Sequence, residues 1–102
     1  MNLPAKVYAI YILDEKENIK GVYVGASHKV DERIKRHLHC HRTQIELHDL
    51  MRKGLYKVQI LDTINERKEA CKEYEWIRYF REKTDLKVFN VKTDCFLKRG
   101  VT

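Results

Sequence analysis

A chain of 102 residues has room for a single compact domain with a modest core, so we take residues 1–102 as one domain. Its formal net charge of +6, from 21 Lys and Arg against 15 Asp and Glu, favours a polyanionic partner, nucleic acid foremost. Three widely spaced cysteines without a CxxC pair exclude a disulfide framework and a thioredoxin-like motif. No apolar run has the length of a membrane span and no secretory leader is visible, so a cytoplasmic protein is expected.

In chain order, Lys6 to Leu13 (KVYAIYIL) is rich in β-branched and aromatic residues and apolar on both alternating faces. That pattern predicts a strand covered on both sides. The polar stretch Asp14 to Lys20 predicts a turn, and Gly21 to Gly25 (GVYVG) a second strand, so the two form an antiparallel hairpin. Residues two apart share a face of a strand, which puts Ala9 beside Tyr11 and sets Gly21 and Gly25 on either side of Tyr23. Small neighbours leave space beside each phenol.

Ser27 is a candidate cap for the next helix, whose apolar stripe is Val30, Ile34 and Leu38. Arg33 and His37 lie four apart and are neighbours on that helix. Thr43 and Glu46 have the spacing of a capping box, predicting a short helix from about Gln44 that ends near Gly54. Leu55 to Ile64 alternates as an edge strand with one wetter face. Asn65 is a candidate cap for a long helix reaching about Glu82, with Ala70, Ile77 and Phe80 at core spacing and Trp76 on the flank. Glu73 falls on that stripe, between Ala70 and Ile77. The order ββααβα, followed by an irregular tail, predicts an α+β domain: a small three-stranded antiparallel sheet flanked by helices.

A carboxylate on an apolar helix face needs a partner. Glu73 either pairs with a buried Arg or holds a divalent cation, and hard cations accept one or two protein carboxylates while keeping water and phosphate oxygens. The Arg33 guanidinium matches phosphate geometry. The five histidines all lie between His28 and His48, but His37 and His41 are their only pair at four-residue spacing, which is thin support for a zinc centre.

The elements Ala9-Ile10-Tyr11, Tyr23-Val24-Gly25, ERIKRH with Arg33 and His37, EYEWI with Glu73, and VFNV with Asn90 occur in an order that resembles the GIY-YIG nucleases. The resemblance runs from about residue 6 to residue 90. It departs from the hallmark at Ala9, where the family has glycine, and no recognised DNA-binding module follows. The resemblance implies a DNA endonuclease that hydrolyses a phosphodiester bond with one divalent cation, Mg²⁺ or Mn²⁺. It implies Glu73 as metal ligand and Tyr11 as the group activating water, with Tyr23 as its competitor. Arg33 would stabilise charge on the phosphate, His37 would contact phosphate or relay a proton, and Asn90 would orient the metal shell. Lys29, Lys35, Arg36 and Arg42 are the expected DNA contacts on the basic helix region. One site cuts one strand, so double-strand cleavage would require a homodimer or two visits. The competing reading is a basic nucleic-acid-binding module of the same fold that does not cut.

Overall fold

A computed structural model describes residues 3–39 and 45–90. The sheet is built from β1 (Ala5–Leu13), β2 (Ile19–Ser27), β3 (Tyr56–Ile64) and β4 (Lys87–Val88). The helices are α1 (Val30–His39), α2 (Ile45–Arg52) and α3 (Lys72–Lys83), the last preceded by a 3₁₀ turn at Arg67–Glu69. The expected ββααβα order thus gains a 3₁₀ turn and a final strand. The sheet is four-stranded and mixed, in the order β3-β1-β2-β4, not three-stranded and antiparallel. β1 pairs antiparallel with β2 and β3, while β4 runs parallel to β2 through Gly21↔Lys87 and Val22↔Val88. Two residues are too few to display any hydrophobic period, so β4 is invisible to pattern reading.

β1 is covered on both sides, as its apolar alternation predicts. Ala5, Val7 and Ala9 join Val22, Val24, Ile64, Ile77 and Phe80 in the core facing α3. Tyr8, Ile10 and Ile12 join Leu47, Met51 and Phe89 in a second core, with Val30, Ile34 and Leu38 of α1 packed against it. Each fully buried aliphatic side chain here contributes roughly 1.5–3 kcal/mol. The result is three layers, with α1 and α2 on one side of the sheet and α3 on the other. β3 is an edge strand, and Val58 and Ile60 on it are exposed.

Local signals explain the turns. The Asp14 carboxylate accepts the N–H groups of Lys16 and Asn18, both at 2.9 Å, closing the hairpin around Glu17 with its positive φ of 64°. Gly54 takes φ 80° and its N–H bonds the Met51 carbonyl, ending α2. Ser27 accepts the Lys29 N–H at 3.1 Å just ahead of α1. The capping box expected at Thr43 lies outside the described residues. The helix expected from Asn65 begins later, at Lys72. The Glu69 carboxylate turns back to accept the N–H groups of Asn65 and Glu66, which tightens this stretch into a 3₁₀ turn. Lys72 then fastens the start of α3, through Glu69 at 3.0 Å, Asp62 at 3.4 Å and the Thr63 carbonyl at 2.9 Å.

Candidate active site

Strand alternation divides the tyrosines. Tyr8 and Tyr23 stand on the α1 side of the sheet, whereas Tyr11 packs into the α3-side core. Tyr11 donates its O–H to the Gln59 side-chain oxygen at 2.6 Å and meets the Phe80 ring edge-on. Burial and nearby Tyr79 raise its phenol above the ordinary value. The structure therefore does not bring Tyr11 to Tyr23. The phenol on the same face as Tyr23 is Tyr8, one position before Ala9 and on the opposite face from Tyr11.

Tyr8 is completely buried, and β pairing sets it directly opposite Gly25. Its oxygen lies 3.1 Å from Nε2 of His37. The Tyr23 and His37 rings meet edge-on, with centroids 4.9 Å apart. α1 supplies both His37 and Arg33, one turn apart, and its stripe of Val30, Ile34 and Leu38 holds that face onto the second core. The Arg33 guanidinium is near enough to the Tyr8 phenol to oppose the rise of its pKa.

The protonation pattern follows from burial. Loss of water pushes Tyr8 well above its usual 10, assisted by Tyr23 and by the Glu73 charge, and Arg33 only partly offsets this. Tyr23 is likewise raised, first by burial and then by Glu73. His37 falls to about 4, chiefly through burial and then through the positive charges of Arg33 and Arg36. At neutral pH the phenols keep their protons and the imidazole is uncharged. The Tyr8 phenol and His37 Nε2 share a hydrogen bond, and with the phenol as donor the imidazole proton sits on Nδ1.

Glu73 reaches this group from the other layer. It stands in the first turn of α3, half-buried between Ala70 and Ile77, and its charge acts on both Tyr8 and Tyr23. β4 pairs with β2 only as far as Val22, short of Tyr23. One half-buried carboxylate beside two phenols suits a hard cation that completes its shell with water and substrate oxygens. Among the described residues no three His, Cys, Asp or Glu side chains converge on a metal position. His41, of the zinc reading, lies outside the described residues.

Asn90 sits at the same part of β2 but acts on backbone. Its side-chain oxygen accepts the Val24 N–H at 3.0 Å and its amide donates to the Val24 carbonyl at 2.8 Å. It continues the pairing where β4 stops and holds the segment between Tyr23 and Gly25. Arg81 in turn donates to the Asn90 carbonyl at 2.7 Å. Of the expected DNA contacts, Lys29 and Arg36 line a cleft of about 400 Å³ together with Ser27, His28, Glu32 and Arg33. Lys35 is exposed on α1 but does not line that cleft. Arg42 lies outside the described residues.

Sequence reading missed Tyr8. The available signal was the two-residue period: Tyr8 and Tyr11 differ by an odd number and must face opposite ways, and the β1–β2 register decides which of them joins Tyr23.

The architecture is a small mixed sheet between helical layers, with Tyr8, Tyr23 and His37 in contact on the α1 side. Residues 7–85 match the family model described as the GIY-YIG catalytic domain, and the chain belongs to the GIY-YIG family. This family consists of nucleases that generally depend on divalent metal ions. Comparisons with curated proteins and with solved structures found no match.

Proposed function

We propose that this protein is a divalent-metal-dependent DNA endonuclease that hydrolyses a phosphodiester bond with one Mg²⁺ or Mn²⁺ ion. The observation that supports it most is the convergence of Tyr8, Tyr23, Arg33 and His37 from one layer with Glu73 from the other. Glu73 would hold the cation. When bound there, the cation cancels the Glu73 charge that raises the phenols and polarises the phosphate. Tyr23, part-exposed beside Glu73, is the phenol placed to take a proton from the attacking water. Tyr8 acts behind it, locking His37 as a neutral ring. Arg33 is exposed at the cleft and stabilises charge building on the phosphate oxygens. Lys29, Arg36 and Arg33 would meet the DNA backbone, with Lys35 and Arg42 as outer contacts. Asn90 supports the strand that carries Tyr23. Tyr11 takes no part in the reaction in this scheme. The site of action would be the cytoplasm, and a homodimer would be needed to cut both strands at once.

The test is nicking of supercoiled, branched and single-stranded DNA with Mg²⁺ or Mn²⁺, for wild type beside Arg33→Ala and Glu73→Ala. Cleavage should disappear in both variants and with excess chelator. Equal nicking by Glu73→Ala would overturn the proposal. Salt-sensitive DNA binding without metal-dependent nicking would favour the non-cutting module instead.

A further inference from the structure

His48 is the buried polar side chain among the described residues, only 5% exposed. It stands on α2, beside Leu47 and one turn before Met51, both fully packed in the core under α1. Its Nδ1 lies 3.0 Å from the backbone carbonyl of His37. A carbonyl can only accept, so the imidazole donates through Nδ1–H. His37 lies in the C-terminal half of α1 as described. A donor from a neighbouring helix therefore reaches the α1 backbone at the residue that carries the imidazole of the candidate site. His37 is gripped twice, by Tyr8 through its ring and by His48 through its backbone.

We propose that His48 is a positioning residue: by holding the His37 carbonyl from a buried position on α2, it fixes the His37 ring against Tyr8 and Tyr23 in the Nδ1–H form. Its effect on cleavage rests on the endonuclease reading above, but its effect on the ring does not. The geometry explains why this polar group is tolerated in an apolar core. Removing the donor takes away this tie between α2 and the α1 backbone at His37, and small displacements of a reacting group are costly to rate.

The experiment uses nitrogen-15 imidazole NMR on the whole protein, with cleavage kinetics alongside. In wild type, His48 Nδ1 should carry a slowly exchanging proton and His37 should show a single Nδ1–H tautomer. His48→Leu removes the donor while keeping bulk. It should shift the His37 ring signals toward a tautomer average and lower kcat by roughly ten- to a hundredfold, with KM changing by about twofold or less. His48→Asn retains an N–H donor and should return the His37 signals toward wild type. A folded His48→Leu protein with unchanged His37 ring signals overturns the inference. If His48→Leu does not fold, His48→Asn decides: preserved His37 signals support the inference and altered ones overturn it. A wild-type His48 without a proton on Nδ1 also overturns it. Absence of nicking by wild type sinks the endonuclease reading alone, because the ring signals still judge the positioning role.

Discussion

Tyr8 lies over Gly25 so closely that a Cβ at residue 25 would come 2.5 Å from its phenol oxygen and 2.6 Å from the carbon bearing it. The glycine of the second tripeptide is therefore a requirement of packing, set by its β1 partner across the ladder. Gly25→Ala should cost about 1–3 kcal/mol through overpacking, because Tyr8 is fully buried and cannot swing clear. It should also push the phenol off His37. Urea unfolding measures the first effect and the His37 ring signals the second. An unperturbed ring in a stable Gly25→Ala protein would contradict this account.

The two tyrosines of β1 give a sharp comparison. Tyr8→Phe removes the hydroxyl that is hydrogen-bonded to His37 and should cost about 1 kcal/mol of stability. It should also lower kcat by about a hundredfold. Tyr11→Phe removes only the bond to Gln59 in the other layer and should leave nicking within about twofold of wild type. The reverse ranking would show that the strand face has been misassigned.

Acid should loosen the fold through His37. Its folded value of about 4 lies below the value near 6.5 for an unfolded chain, so the unfolded chain binds more protons between those limits. The stability tied to a neutral His37 is complete above about pH 6.5 and is lost as pH falls toward 4. The loss should be about 1–3 kcal/mol, reduced from the full linkage value because the ring is only part-buried. Denaturant unfolding at pH 7 and pH 4.5 should show a larger drop for wild type than for His37→Gln.

Asn90→Ala should uncouple strand support from chemistry. Two hydrogen bonds to Val24 disappear, at a cost of about 1–2 kcal/mol. Hydrogen exchange at the Val24 amide should accelerate, and cleavage should fall while the dependence on metal concentration stays the same. A raised metal requirement would instead assign Asn90 to the cation shell.

Much of this was legible in the sequence, for identifiable reasons. β1 announced its two covered faces because every position from Val7 to Leu13 is apolar or aromatic, and Gly54 announced the end of α2 because a positive φ suits glycine. Arg33 and His37 were readable as neighbours because a four-residue step is nearly one helical turn. The start of α3 was not readable, because Glu69 satisfies Asn65 and Glu66 by folding back, a choice that depends on Lys72 and Asp62 as well. The β4 pairing and the partner of Tyr23 depend on register between strands distant in sequence. No local periodicity encodes that register, and so Tyr8 was not singled out.

Glu73 arrives from the opposite side of the sheet and well after α1 in the chain. A growing polypeptide that had completed the hairpin and α1 would own both phenols, the guanidinium and the imidazole, yet would lack Glu73. Only docking of α3 beneath β2 delivers it. On the endonuclease reading proposed above, competence to cut is tied to docking of α3, and a nascent or half-unfolded chain, however basic, would meet a nucleic acid unarmed.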